Sequence, residues 1–128
     1  MKLHHVGIVT DDLDALVGQY EIVLEVPPVH RERVDGLDVV FLETDGCLLE
    51  LLEPQQAGTV ARYLERHGPG LHHLAFETDD VASALAGAAD AGVELVDEAP
   101  RQGAWGHEVA FVHPSGMGGV LVEFVASG

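Results

Sequence analysis

The sequence predicts an α+β fold built from two tandem βαβββ modules, and three observations carry that prediction. First, His4-His5-Val6-Gly7-Ile8-Val9-Thr10-Asp11-Asp12-Leu13 returns as His72-His73-Leu74-Ala75-Phe76-Glu77-Thr78-Asp79-Asp80-Val81, its polar anchors at a constant offset. Second, each copy leads into helical spacing and then into short apolar runs bounded by turn residues. Third, 128 residues at 47% hydrophobic content make one domain's worth of core, so each copy is a half that leans on the other. The whole chain, 1–128, reads as one domain: a first module over 3–54, a linker with a short helix over 55–70, and a second module over 71–126.

In the first module, Leu3, Val6, Ile8 and Val9 make a short, partly buried strand. Thr10 or Asp11 caps the helix that follows, whose Leu13, Leu16, Val17, Tyr20 and Leu24 fall at helical spacing before Pro27-Pro28 stops it. From Val29 to Val34 the pattern is polar and irregular. A strand resumes over Leu37 to Leu42, Asp45-Gly46 is a turn, and Cys47 to Leu52 is the hairpin partner. After the linker, Val60, Tyr63 and Leu64 mark one side of a short helix from Thr59 to His67, which Gly68-Pro69-Gly70 breaks.

The second module repeats the order. Leu71 to Glu77 is a strand, Asp79 or Asp80 begins a helix striped by Val81, Leu85, Ala88 and Ala89, and Gly92 ends it. Val93 to Val96 is expected as a strand, Pro100 to Gly106 as a glycine-rich loop carrying Arg101 and Trp105, and His107 to His113 and Val120 to Val125 as the last strands.

Composition narrows the function. Six Lys+Arg against 22 Asp+Glu give a formal charge of −16, which repels phosphate and so argues against nucleic acid or an anionic membrane as partner. The acid is spread along the chain as a solvated face of the kind that a salt-rich cytoplasm would screen. The lone cysteine, Cys47, lies in an apolar run and reads as a small buried hydrophobe in a reducing compartment. With no signal-like start and no apolar run of membrane-spanning length, a cytoplasmic protein is expected.

The last strands of the two modules, around Glu50 and Glu123, each place one carboxylate in an otherwise apolar run. Buried carboxylates require a partner, a hydrogen bond or a metal. Alternation puts His5 on a face with Gly7, and His73 on a face with Ala75 and Glu77. If the modules are pseudo-symmetric, their first and last strands bring two histidines and two carboxylates together. That is an N2O2 set suited to a divalent transition ion with positions left for water or substrate. Each residue alone is equally well a core or edge residue, and the strand that carries each histidine pair is better defined than which of His4 or His5, His72 or His73, turns inward. By the same alternation His4 and His72 face the other way, to pack or to support the site.

At His5-Val6-Gly7-Ile8, Glu50-Leu51-Leu52-Glu53-Pro54, Gly70-Leu71-His72-His73-Leu74-Ala75-Phe76 and Gly118-Gly119-Val120-Leu121-Val122-Glu123, the chain resembles the vicinal oxygen chelate superfamily. Within it the chain resembles the methylmalonyl-CoA epimerase family, nearly end to end. The resemblance implies a curved mixed sheet around a metal-binding cleft, with His5, Glu50, His73 and Glu123 at the metal positions. It implies a divalent ion, Co²⁺ first, with Mn²⁺, Ni²⁺ or Zn²⁺ as alternatives, and a homodimer. The implied reaction interconverts (R)- and (S)-methylmalonyl-CoA: the 2-carbon loses a proton on one face through a metal-stabilised enolate and regains one on the other.

Glu123 is then one acid/base group. Some members carry the second as a glutamate three residues after a glycine that corresponds to Gly36, and here that position is Val39, which cannot move a proton. Glu77, on the His73 face, is the candidate replacement, with Glu43 and a metal-bound water behind it. For the coenzyme, many relatives have a lysine where this chain has Ser115. That leaves Arg101 as the main loop cation for the CoA phosphates, helped by backbone N–H groups at Gly118 and Gly119.

Two other readings share this fold. A glyoxalase I-like lyase would use a similar ligand set on a glutathione hemithioacetal, and only the epimerase-like blocks outside the site separate it. A non-catalytic small-molecule binding protein would hold no metal, and the paired glutamates in apolar strands speak against it.

Overall fold

The structure is a computed structural model that describes residues 1–126. The chain divides into two compact units, Val6–His72, and Met1–His5 with the chain from His73 onward. The divisions fall inside β1 (Lys2–Val9) and inside β5 (Gly70–Glu77), so these two strands run through both units.

In the Val6–His72 unit, helix α1 (Leu13–Leu24) begins where Asp12 accepts from the backbone N–H of Ala15 at 3.2 Å. The cap is Asp12, one or two residues beyond the expected Thr10 or Asp11. Thr10 instead accepts from the Asp12 N–H at 3.1 Å, and Glu53 accepts from that of Leu13 at 2.7 Å. Another N–H of the first turn is thus satisfied from across the unit. The helix stops at Glu25, whose φ of 56° lies in the left-handed region. Strands β2 (Pro28–Val34), β3 (Leu37–Thr44) and β4 (Cys47–Pro54) form an antiparallel meander. Leu13 and Val17 of α1 pack on Val40, Leu42 and Leu51. Burying each such side chain is worth about 1.5–3 kcal/mol, and the packing fixes which sheet face the helix covers. By alternation the other face carries Val39, Phe41, Leu48, Glu50 and Leu52. Helix α2 (Thr59–His67) closes this unit.

In the other unit, α3 (Val81–Asp90) is capped by Asp80, whose carboxylate accepts from the Ser83 N–H at 3.1 Å and from its hydroxyl at 2.9 Å. Val81 and Leu85 pack on Ala110, Val112 and Val122. The strands under them are β5, β8 (Val122–Ala126), β7 (Glu108–Val112) and β6 (Arg101–Gln102), in that order. β5 pairs with β8 in parallel, and β7 pairs with β8 and β6 antiparallel. Ala75, Val109 and Val125 cluster on the face away from α3. Among the described residues no helix is long and apolar enough to cross a membrane.

Three further expectations are corrected. Val29 to Val34, irregular by pattern, lies in strand β2, whose register shifts between Pro28 and His30 and whose exposure alternates from there because one side is open. Val93 to Val96, expected as a strand, contributes a single bridge from Leu95 to Val112. The ladder position beside β7 goes to the two residues of β6, inside the segment expected to be a loop. The rest of that segment, Ala104–Gly106, is a 3-10 turn in which Trp105 has φ 60°.

Candidate metal centre

His5 on β1, His73 on β5 and Glu123 on β8 meet inside one unit, respectively 3%, 5% and 6% exposed. The Nε2 atoms of His5 and His73 are 3.1 Å apart, and each is 3.1 Å from Oε1 of Glu123. Three atoms bearing lone pairs thus form an equilateral triangle. Although both imidazoles touch it, Oε1 of Glu123 is a buried oxygen without a directed hydrogen bond. Ligand atoms about 2.1 Å from one ion, at angles near 90°, stand about 3 Å apart. The spacing, the burial and the orphaned oxygen all suit a divalent cation, and this buried His/Glu cluster could hold one.

Burial opposes the charge of Glu123, but the contacts with His5 and His73 outweigh it. Its carboxyl therefore sits below the ordinary carboxylate range and stays ionised. Behind the cluster, Nδ1 of His5 is 2.7 Å from Nδ1 of His4. With the proton of that pair on His5, its Nε2 presents a lone pair to the centre, the usual way an outer partner fixes a ligand's tautomer. His4 is half-buried, and burial followed by the neighbouring His5 and His107 holds its pKa below the usual imidazole value. His107 meets His4 edge-on, ring centroids 5.4 Å apart, and Trp105 stacks on His107 at 5.9 Å.

Register places the remaining residues of this unit. Ala75 and Phe111 flank Glu123 on its two sides, and Glu77 and Val109 flank Val125. Glu77 is therefore on the Glu123 face, one ladder step along and half-buried. Arg101 pairs with Val109, which puts it on the same face. Its guanidinium lies 5.5 Å from the centroid of Phe111 and its Nε is 3.2 Å from Asp97. Asp97 also accepts from the Phe111 N–H at 2.9 Å, so one carboxylate ties the Arg101 segment to β7. Phe111 in turn meets His73 edge-on at 5.6 Å. Gly118 and Gly119 lie on an exposed turn, both at positive φ (69° and 85°).

In the Val6–His72 unit, Glu50 is 6% exposed and stands directly opposite Phe41 on β3. Val39 is fully buried, and Glu43 is exposed near the strand end. His30 and Glu32, which the sequence reading passed over, are joined by a contact of 3.1 Å from Nε2 to Oε1. The missed signal was their i, i+2 spacing, which carries information only once β2 is recognised as a strand.

Residues 4–111 match the Glyoxalase/Bleomycin resistance protein/Dioxygenase superfamily. The chain belongs to that superfamily and, within it, to the methylmalonyl-CoA epimerase family. It is 35% identical to the ethylmalonyl-CoA/methylmalonyl-CoA epimerase of Cereibacter sphaeroides, over 95% of each chain. It is 38% identical to the uncharacterized protein YqjC of Bacillus subtilis, over 95% of this chain and 89% of that one. The solved structure of a Streptomyces coelicolor methylmalonyl-CoA epimerase variant in complex with 2-nitronate-propionyl-CoA superposes with a TM-score of 0.95 at 34% identity, covering 99% of this chain and 94% of that one.

Proposed function

We propose that this protein is a metal-dependent epimerase that interconverts (R)- and (S)-methylmalonyl-CoA. The observation that carries the reading is the triangle of His5, His73 and Glu123, a buried donor set that suits a divalent ion beside an ionised carboxylate. Glu50 is the fourth ligand in this reading. It is itself a buried carboxylate, and Co²⁺ is the leading candidate for the ion. The likeness to methylmalonyl-CoA epimerases over nearly the whole chain supports the choice of substrate.

When bound, the ion would supply positive charge where the thioester oxygen becomes negative. The protein's own residues do the rest. Glu123, kept ionised, is the base positioned to accept the proton from the 2-carbon. His4 holds His5 in place from behind, and the burial of the cluster keeps water from competing for the proton. Arg101 on the edge strand and the backbone of Gly118 and Gly119 are the contacts for the CoA phosphates. A homodimer is part of the reading and is checked by size-exclusion chromatography with light scattering.

The test is proton-exchange NMR of methylmalonyl-CoA in deuterated water, with and without Co²⁺. Deuterium should enter the 2-carbon when the ion is present. No exchange with either stereoisomer would defeat the proposal.

A further inference from the structure

A CoA thioester carries several phosphates, and this chain has little positive charge to meet them. In the unit that holds His5, His73 and Glu123, the Lys and Arg side chains are Lys2 and Arg101. Asp97 already takes the Nε–H of Arg101 at 3.2 Å. The formal charge of −16 repels phosphate over the chain as a whole. Affinity for the coenzyme must then draw on contacts that charge does not govern. For its adenine base the strongest of these is a stacked aromatic ring.

Four residues after Arg101, Trp105 presents such a ring. It is 37% exposed and, among the described residues, the only aromatic of the exposed large apolar side chains. Its φ of 60° and ψ of 24° are left-handed, an outlier for a bulky residue that the surroundings must hold in place. The turn is built to hold it. The Gly103 N–H donates to the His107 carbonyl at 2.8 Å, a Cβ on Gly103 would come within 2.8 Å of the Val109 side chain, and Gly106 turns the chain back at φ 69°. The indole lies at 17° to the His107 ring with centroids 5.9 Å apart, an offset stack. His107 meets His4 at 5.4 Å and His4 meets His5 at 5.0 Å, so three ring-to-ring steps lead from the indole to the metal centre within one unit.

We infer that Trp105 is the stacking platform for the adenine of the coenzyme, an inference that rests on the choice of a CoA thioester in the epimerase reading. The base extends the stack of His107 and Trp105, and Arg101 on the same stretch of chain meets phosphate. Adenine and the 3′-phosphate of CoA are carried on one ribose, so a single loop can hold both. The uncharged, flexible pantetheine arm leads from there to the thioester at the centre. Stacking reads the π-face of the base and is indifferent to the acyl group. The loop therefore recognises the carrier, and the choice of acyl group is left to the centre.

The experiment measures binding of propionyl-CoA and of propionyl-pantetheine, which lacks the nucleotide, by titration calorimetry on the full chain. Trp105→Gly suits the left-handed backbone and should melt no lower than wild type. It should raise the Kd of propionyl-CoA by roughly 5- to 100-fold and leave that of propionyl-pantetheine unchanged, while Trp105→Phe keeps most of the affinity. In the unaltered protein, adenosine 3′,5′-bisphosphate should quench the Trp105 emission and ribose 5-phosphate, which has no base, should not. Unchanged propionyl-CoA binding in Trp105→Gly overturns the proposal, as does equal weakening of both thioesters or an absence of quenching by the bisphosphate. None of these readouts needs turnover. A wild type that stacks adenine but exchanges no proton of methylmalonyl-CoA would sink the epimerase reading and leave the platform standing.

Discussion

Nε2 of His5 stands 3.1 Å from Nε2 of His73, with the ionised Glu123 at the same distance from both. At that separation an N–H on one ring facing a lone pair on the other makes a hydrogen bond, whereas lone pairs on both rings call for a cation; the buried Glu123 oxygen without a hydrogen bond favours the cation. Co²⁺ at a thousandfold excess over its Kd should add about 4 kcal/mol of stability and raise Tm by roughly 10–20 °C. Calorimetry with the metal and then with EDTA measures this. An equal rise in His73→Ala would show that the ion binds elsewhere.

Glu123→Gln keeps the shape of the side chain and removes the base. Deuterium exchange at the 2-carbon should fall by roughly 10²–10⁴. Bound cobalt should be quantified in the same sample, because the substitution also weakens a ligand. A variant that binds cobalt normally and exchanges at the wild-type rate would move the role of base to another residue.

Arg101 lies over Phe111 at the edge strand β6 and is half-exposed. Arg101→Ala should therefore raise KM about tenfold, the loss of one charged phosphate contact, and leave kcat nearly unchanged. Steady-state kinetics resolve the two constants. A fall in kcat at constant KM would contradict a role in holding the coenzyme.

Asp80 caps α3 with two bonds from Ser83, which hold its carboxyl below the ordinary carboxylate range. A group whose pKa is depressed in the folded state stabilises above its unfolded pKa, and that contribution disappears as pH falls through the folded value. Asp80→Ala should lower Tm at neutral pH, and the difference from wild type should shrink as the medium is acidified through the carboxylate range. Melting curves across that range decide the matter, and a difference independent of pH would mean that packing, not the charged cap, was lost.

The formal charge of −16 predicts a Tm that rises with added KCl, because screening relieves repulsion among surface carboxylates. A flat salt titration would show those charges to be too far apart to matter.

The repeat made much of this architecture legible. The two His-His stretches lie on strands β1 and β5, and the helices after them begin at aspartates in the repeated segment, because a cap followed by an apolar stripe is a strong local signal. Val29 to Val34 was opaque for a physical reason. An edge strand with one open side has no continuous apolar face, so it lacks the pattern by which strands are read. His30 and Glu32 were lost with it. Val93 to Val96 failed in the opposite way: it is apolar enough for a strand, but its pairing with β7 stops at the bridge from Leu95 to Val112 and the bond from the Val96 N–H to the Phe111 carbonyl.

Trp105, the only tryptophan in the chain, is held at positive φ in the 3-10 turn and stacks on His107, which meets His4, which holds His5. Three imidazoles therefore link the one strong fluorophore to the cluster. Any event that changes the charge of His5 changes the electric field at the indole through that line of rings. The protein carries its own optical gauge of the centre, and its emission can be followed in the unlabelled enzyme as metal or substrate arrives.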